Sequence, residues 1–256
     1  MNNPHPIYLF RHGRTEWNAI ERIQGALDSS LTGHGRAQAR ALGATLRDEL
    51  YVAGIAMQDV AVVSSPLGRV RQTVAIACAA AGIDLAVCRF DDRWREVTWG
   101  DWDGMTRAEI ERRSPGALGA RSKLKWQHRP PGGESYAMAA PRATAALIDL
   151  VTLAATRPVA AFSHGAIGRL LRGTYAGLSP DEIVTLDEPQ DAFFRLQAGT
   201  ITRIAAHDPP RAVGRWPEGS EASQRDLNNE DHVGSPSGLH PEAAEGRPRS
   251  SQSGKG

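Results

Sequence analysis

Short apolar runs alternate with helix-like segments over most of this chain, and this alternation constrains the fold more than any other feature. The runs at 7–10, 60–63 and 159–162 have the length and composition of buried parallel strands. The segment 85–87 is a shorter strand candidate. Strands that alternate with helices are typical of an α/β domain with a mainly parallel sheet. We therefore predict a three-layer αβα sandwich with helices on both faces of the sheet.

The segments between these runs predict the helices. The first begins at Thr32 as N-cap and continues to about Leu50. The others are 67–81, ended by Gly82, then 135–155, interrupted early by Pro141, and 165–175, ended by Gly177. Two final runs, 193–197 and 200–207, are joined by Ala198-Gly199 and predict a β-hairpin.

The composition changes at Asp208. From there the chain is rich in Pro, Gly, Ser, Glu and Arg, and Trp216 is its one large aromatic residue. Such a segment buries too little apolar surface to offset the entropy lost on ordering. We predict one domain over 1–207 and a disordered tail over 208–256, with Trp216 as the candidate for a contact with the domain.

Charge and cysteine content point to a cytoplasmic protein. The 256 residues carry a net charge of +1, which gives no reason to expect nucleic acid or membrane binding. The first ten residues lack the basic and apolar regions of a signal peptide, and no apolar run is long enough to span a membrane. Cys78 and Cys88 are predicted to be buried free thiols, which suits a reducing compartment. The oligomeric state is left open.

Basic and imidazole side chains follow each of the three longer apolar runs. Arg11 and His12 follow the first, Arg69 lies at the start of the helix after the second, and His164-Gly165 follows the third. Parallel α/β sheets place their sites at the carboxyl ends of the strands, so these groups should converge. Arginines and the N-termini of the helices that open at Leu67 and Gly165 favour an anion, and phosphate fits best. Metal binding is the competing interpretation. It is disfavoured because a metal site would need more histidine, cysteine or carboxylate ligands, and because the neighbouring arginines would repel a cation.

A phosphate-transfer site also needs a proton donor, and Glu96 is the candidate. It lies in the segment WREVTWGDWDG, among Trp94, Trp99 and Trp102. A carboxyl group in an aromatic setting holds its proton more tightly, which suits a general acid. The alternative is that Glu96 pairs on the surface with a neighbouring arginine such as Arg93 or Arg95. Spacing alone does not decide between the two.

Six blocks in order carry a family resemblance: RHGRTEWN (11–18), RIQGALDSSLTGHGRAQA (22–39), SSPLGRVRQT (64–73), REVTWGDWDG (95–104), PPGGES (130–135) and SHGAIGRLL (163–171). Together they resemble the histidine phosphatase superfamily, the phosphoglycerate mutase-like clan. The resemblance implies an α/β sandwich with one antiparallel edge strand, an enzyme that transfers phosphoryl groups, a small phosphorylated substrate, and no need of a metal or other cofactor.

The resemblance also implies individual roles. His12 matches the nucleophile that becomes phosphohistidine, and Glu96 matches the proton donor. The residues that match the phosphate-binding and substrate-binding groups are Arg11, Asn18, Gln24, Gly25, Arg69, His164 and Gly165. The chain departs from the family pattern at Trp94, Trp99, Asp103 and Gly168, and none of these positions carries a catalytic group.

Three functions remain open within this resemblance. The stretch IQGALDSSLT resembles the phosphatase branch, so a phosphomonoesterase comes first. A cofactor-dependent mutase comes second, because the insertion after Glu96 is short although basic. Its basic residues are either a solvated helix face, slightly favoured, or a lid that meets an acidic substrate: Arg112, Arg113, Arg121, Lys123, Lys125 and Arg129. A non-catalytic phosphate-binding scaffold comes third.

Overall fold

The computed structural model describes residues 3–207. The predicted tail, 208–256, and Trp216 lie outside these residues, so the domain boundary stays a prediction. The described chain forms a six-stranded sheet: β1 (Ile7–Arg11), β2 (Ala61–Ser64), β3 (Cys88–Phe90), β4 (Val159–Ser163), β5 (Ala192–Gln197) and β6 (Thr200–Ala205), in the spatial order β3-β2-β4-β1-β5-β6.

The sheet is parallel from β3 to β1 and antiparallel beyond it. β1 pairs in parallel with β4, which pairs in parallel with β2, and β2 pairs in parallel with β3. β5 runs antiparallel to β1 and forms a hairpin with β6 at Ala198-Gly199. Both turn residues have positive φ, as a tight two-residue hairpin turn requires. The predicted mainly parallel sheet is confirmed, and its antiparallel side contains two strands where the resemblance implied one.

The helices lie between and after these strands: α1 (Glu16–Ala19), α2 (Gly33–Val52), α3 (Gly68–Ala81), α4 (Arg107–Arg113), α5 (Ala117–Lys123), α6 (Tyr136–Leu153), α7 (Gly165–Ala176) and α8 (Pro180–Ile183). Thr32 caps α2 by accepting a hydrogen bond from the Gly35 amide. α6 continues through Pro141 without a break, against the predicted interruption. Gly82 and Gly177 end α3 and α7 in the left-handed conformation, as predicted.

Two apolar clusters, one on each face of the sheet, form the core. On one face Ile7 and Leu9 pack with residues of α6 and α7 such as Leu147 and Ile167. On the other, Tyr8 and Phe10 pack with residues of α2 and α3: Leu42, Leu46, Val70 and Val74. Successive residues of β1 thus serve opposite clusters, as the two-residue period of a strand dictates. The predicted three-layer arrangement is confirmed.

One predicted strand is wrong. Residues 85–87 form a single 3₁₀ turn, because the Asp84 side chain accepts a hydrogen bond from the Ala86 amide and turns the chain. The strand is Cys88–Phe90, directly after it, at the edge of the sheet. Of the two predicted buried thiols, Cys78 is buried, whereas Cys88 is only half-buried. No helix within 3–207 is both long and apolar enough to cross a membrane.

Candidate active site

The carboxyl ends of β1, β2 and β4 lie side by side, and the predicted site residues extend from them. Arg11 is level with Ser163 across one ladder, and Ser64 is level with Phe162 across the other. The rings of His12 and His164, just beyond these ends, have centroids 5.4 Å apart. The register of the parallel strands therefore brings together residues that lie about 150 positions apart in the chain.

His12 is buried and held in one tautomer. Its Nδ1 lies 2.9 Å from the carbonyl oxygen of Gly13, and a carbonyl can only accept, so Nδ1 donates the proton. Burial lowers the pKa of His12 well below its usual value, and the nearby Arg69 and Arg11 charges lower it further. The ring is consequently a neutral imidazole whose Nε2 carries a lone pair. That is the form in which histidine acts as a nucleophile.

The loop after His12 is packed tightly against the start of α2. A Cβ on Gly13 would lie 2.4 Å from the Gly35 carbonyl oxygen, so only glycine fits here. The Gly13 amide donates to Thr73 Oγ1 of α3 at 3.1 Å. The backbone that accepts the His12 proton is thus fixed by two helices.

Arg69 is almost fully buried at the first turn of α3. Its guanidinium donates to the carbonyl oxygens of Gly25 and Leu27, and it forms an ion pair of 3.0 Å with Asp28. Burial lowers its pKa, and the charges of Glu96 and Asp28 oppose this shift. Asp28 also accepts from the amides of Gly68 and Arg69, so it caps α3. The sequence interpretation did not find Asp28, because Asp28 lies 41 residues before Arg69 and no local pattern links the two.

The remaining predicted residues on the β1 side line the same cavity. Arg11 donates to the Glu188 carbonyl oxygen, and Gln24 is buried, with no partner for its Oε1 among the described residues. Asn18 Oδ1 accepts from Gln190 Nε2 at 3.2 Å, and the same amide group donates to the His12 carbonyl oxygen at 3.1 Å. Gln190, which was also missed, therefore links Asn18 to the His12 backbone.

His164 lies next to His12, and Gly165 follows it as the first residue of α7. His164 is buried, its Nε2 lies 2.8 Å from Ser65 Oγ, and its Nδ1 has no partner among the described residues. Burial, followed by the Arg69 and His12 charges, lowers the pKa of His164 well below its usual value. Both residues line a small pocket that shares Arg11 and Glu188 with the main cavity, and neither lines the main cavity itself. A Cβ on Gly165 would overlap the Glu188 carboxylate, so Gly165 leaves room for that side chain.

Glu96 fits neither of its predicted settings. Its carboxylate accepts from the backbone amides of Val97, Ala166 and Ile167, at 3.0, 3.1 and 3.3 Å. It therefore caps α7, where the helix dipole favours negative charge. Arg93 and Arg95 pair with aspartates, not with Glu96.

The tryptophans near Glu96 also differ from the prediction. Trp94 and Trp102 are buried in the protein interior, and only Trp99 lines the cavity with Glu96. The amides at the starts of α3 and α7, predicted to bind phosphate directly, are instead occupied by the carboxylates of Asp28 and Glu96.

The cavity has a volume of about 560 Å³ and an excess of cations. Besides Arg11 and Arg69, its basic lining is Arg22, Arg107, Arg121, Lys125 and Arg169. Its acidic lining is Glu21, Glu96 and Glu188. Within residues 3–207, no three His, Cys, Asp or Glu side chains are grouped as metal ligands would be. The lining suits a small, multiply charged anion.

Some basic residues of the insertion after Glu96 fit a solvated face, and others line the cavity where a substrate would bind. Arg112, Arg113 and Lys123 are exposed, which fits a solvated face. Arg121 is buried and Lys125 half-buried, and both line the cavity, so the favoured interpretation is wrong for these two residues. Which residues of a short basic helix turn inward depends on packing that the local sequence does not reveal.

Comparison with known proteins agrees with this geometry. The model of the histidine phosphatase superfamily (branch 1) matches residues 7–197. The chain is 34% identical to a glucosyl-3-phosphoglycerate phosphatase of Mycolicibacterium vanbaalenii, over 68% of this chain and 76% of that protein. It is 35% identical to a "Probable phosphoglycerate mutase GpmB" of Salmonella paratyphi C, over 67% and 75%.

A solved structure supports the same assignment. The mycobacterial glucosyl-3-phosphoglycerate phosphatase in complex with VO3 superposes with a TM-score of 0.64 and 29% identity, covering 78% of this chain and 96% of that one. The relatives named phosphatases support phosphatase activity for this chain. By its fold, its ordered motifs and the match over 7–197, this chain is an enzyme of the histidine phosphatase superfamily.

Proposed function

We propose that this enzyme hydrolyses a small phosphomonoester through a phosphohistidine on His12. The observation that carries the proposal is the state of His12: buried, neutral, with Nδ1 donating to Gly13 and Nε2 unprotonated. Arg11 and Arg69 line the same cavity and can neutralise the charge of the transferring phosphoryl group.

In the first step, His12 Nε2 attacks phosphorus in line. The N–P bond forms while the bond from phosphorus to the ester oxygen breaks, and Glu96 gives its proton to that oxygen. The alcohol leaves, and the phosphoryl group stays on His12.

In the second step, water attacks phosphorus as Glu96 takes a proton from it. The N–P bond breaks, inorganic phosphate leaves, and His12 returns to its neutral form. Glu96 ends protonated, ready for the next substrate. The arginines supply the positive charge throughout, so neither step calls on a metal ion or another cofactor.

The comparisons support a small phosphorylated substrate. Relatives of this chain are named for phosphatase action on glucosyl-3-phosphoglycerate, and one of their structures holds VO3. A second candidate, phosphoryl transfer between positions of phosphoglycerate, is favoured by the relative named as a mutase. A mutase must keep water from its phosphohistidine, whereas a phosphatase must admit it.

Product analysis separates these functions. We expect the purified enzyme, given 3-phosphoglycerate with and without the 2,3-bisphosphate and a panel of other phosphorylated metabolites, to release inorganic phosphate. An isomerised product that depends on the bisphosphate, without free phosphate, would establish the mutase. Binding without any turnover would establish a non-catalytic scaffold.

A further inference from the structure

His164 and Ser65 form a hydrogen bond at the carboxyl ends of two neighbouring strands. The Nε2 atom of His164 lies 2.8 Å from Ser65 Oγ, and the exposed fractions of the two residues are 1% and 0%. The Ser65 amide donates to the Phe162 carbonyl oxygen at 3.0 Å, and the His12 amide donates to the next carbonyl oxygen of the same strand end, at 3.1 Å. These backbone bonds between the ends of β1, β2 and β4 hold His12, Ser65 and His164 at fixed positions relative to one another.

The Ser65 hydroxyl has one acceptor to which it can donate. Its oxygen already accepts a hydrogen bond from the Leu67 amide, at 3.3 Å. A hydroxyl also has one proton to donate, and within residues 3–207 His164 Nε2 is the only acceptor at hydrogen-bond distance from Ser65 Oγ. Since Ser65 has no exposed surface, bulk water does not compete for this proton. The hydroxyl therefore donates to Nε2, and Nε2 must carry a lone pair.

This hydrogen bond leaves the proton of the His164 ring on Nδ1. Burial and the Arg69 charge lower the pKa of His164 well below its usual value, so the ring carries one proton. The opposite tautomer would leave two buried groups without a partner, the Ser65 hydroxyl proton and the Nδ1 lone pair. The Nδ1–H tautomer leaves one, because only Nδ1 then lacks a partner among the described residues. Each unpaired buried polar group costs free energy, so the Nδ1–H tautomer is favoured.

The ring that carries this Nδ1–H group lies beside the nucleophile. The ring centroids of His164 and His12 are 5.4 Å apart. Arg69 and Arg11, whose charges also reach His164, line the cavity together with His12. A buried, unpaired donor among positive charges suits an anionic oxygen, whereas a lone pair on the same atom would repel that oxygen. The position of the His164 proton therefore decides whether this ring attracts or repels a phosphoryl group.

We propose that Ser65 is a positioning residue, whose hydroxyl keeps the His164 proton on Nδ1 so that Nδ1–H donates to an oxygen of the phosphoryl group at His12. Without the hydroxyl, the proton can move to Nε2, and His164 then offers a lone pair to the anion. Ser65 acts only through His164, because it lines neither the main cavity nor the small pocket next to it. The inference rests on the proposed function, since that function places the phosphoryl group at His12.

Nitrogen NMR of the full chain, labelled with ¹⁵N-histidine, tests the tautomer directly. A ring nitrogen that carries a proton and one that carries a lone pair resonate in separate regions, and the His164 signals are those lost in His164→Gln. We expect a protonated Nδ1 and an unprotonated Nε2 in the wild-type protein. Added inorganic phosphate should shift the Nδ1–H signal and leave the tautomer unchanged. A proton on Nε2, or His164 signals that phosphate does not shift, would overturn the proposal.

Ser65→Ala adds a binding measurement, and Ser64→Ala is its matched control. Ser64 is also fully buried at the end of β2, but its hydroxyl donates to the Ser65 carbonyl oxygen at 3.0 Å and not to His164. We expect Ser65→Ala to weaken the binding of inorganic phosphate by about 10-fold in calorimetry and to place a proton on His164 Nε2, whereas Ser64→Ala should change neither. Equal losses of affinity in both variants, or a lower thermal midpoint with unchanged tautomer and affinity, would make Ser65 merely structural.

These measurements separate the inference from the proposed function. If the wild-type enzyme turns over no phosphomonoester, the proposed function fails, while the His164 tautomer and the phosphate affinity still decide the role of Ser65. If the enzyme hydrolyses phosphomonoesters with the His164 proton on Nε2, the proposed function stands and the inference fails. Where Ser65→Ala does not fold, the wild-type spectra with and without phosphate decide alone.

Discussion

At the scale of single residues, the site depends on which side-chain atoms already have a hydrogen-bond partner in the backbone. His12 uses Nδ1 on a backbone carbonyl and thereby leaves Nε2 free. Glu96 uses both carboxylate oxygens on backbone amides at the start of α7. His12 is thereby prepared as a neutral nucleophile, and the Glu96 carboxyl group is held in a fixed position at the same cavity. The chemistry follows from these hydrogen bonds more than from the identity of the residues alone.

Glu96→Gln tests the proton-transfer role at this scale. The substitution removes the proton that the leaving oxygen needs but keeps the size of the side chain. We expect kcat/KM to fall by about 100-fold or more for alkyl phosphates, whose leaving groups need protonation, and much less for 4-nitrophenyl phosphate. Steady-state kinetics over a series of leaving groups measures the difference.

Glu188→Gln is the control for that experiment. Glu188 is another carboxylate of the same cavity, where it pairs with Arg169. Its substitution should affect good and poor leaving groups alike. If Glu96→Gln also slows the whole series equally, Glu96 is a structural cap of α7 and not the proton donor.

At the scale of elements, the site depends on how closely helices approach one another. A Cβ on Gly43 of α2 would lie 2.2 Å from the Ala77 carbonyl oxygen of α3. The two helices touch there through their backbones, and α3 carries Arg69 and Thr73 into the site. The spacing of α2 and α3 therefore positions the phosphate-binding arginine.

Gly43→Ala should destabilise the enzyme by about 1–3 kcal/mol, because the added methyl group forces the helices apart. Gly119→Ala is the matched control: Gly119 lies in α5, where nothing surrounds the added Cβ. There the substitution should stabilise the protein by about 0.5–1 kcal/mol. Urea denaturation measures both, and equal effects of the two substitutions would contradict the close contact of α2 with α3.

Most elements were predictable from the sequence because their signals are local. The apolar runs at 7–10 and 159–162 gave β1 and β4, and Gly82 and Gly177 marked the ends of helices. The short edge strand β3 was misplaced, because its residues Arg89 and Phe90 are exposed and give no apolar pattern. A side-chain hydrogen bond from Asp84 decides the local conformation just before it.

The site was predictable only in part, for a related reason. Residues that directly follow strands, such as His12 and His164, converge by the register of the sheet. The partners of Glu96 lie some 70 residues further along the chain, at Ala166 and Ile167, and no local pattern links them. The inward orientation of Arg121 likewise comes from its stacking on Trp99. Contacts of this kind depend on tertiary packing.

At the scale of the whole molecule, the net charge of the chain does not reveal the positive charge of its cavity. The chain has a net charge of only +1, yet its cavity collects arginines from β1, α3, α5 and α7. His12, which lines this cavity, and His164 next to it are both buried in the neutral form. Concentrating positive charge in one cavity favours small anions there without making the whole surface attractive to polyanions.

Neutral buried histidines make the stability of the whole molecule depend on pH. Because the pKa values of His12 and His164 are lowered on folding, the unfolded chain binds more protons below pH 6.5 than the folded one. The free energy of unfolding should therefore fall as pH falls from 6.5, by at most about 1.4 kcal/mol per pH unit for each histidine. Urea denaturation between pH 7 and 5 measures this slope, and His164→Gln should make it shallower by one histidine's share. An unchanged slope would show that His164 is protonated in the folded enzyme.

The most direct test of the central claim is to trap the phosphorylated enzyme. Wild-type protein is mixed with a ³²P-labelled phosphomonoester, quenched in alkali within milliseconds, digested and mapped. We predict a label that resists alkali and is lost in acid, on the peptide that contains His12, and no label in a folded His12→Ala variant, which should also lose turnover. Label on another residue, or undiminished turnover by His12→Ala, would contradict the phosphohistidine mechanism.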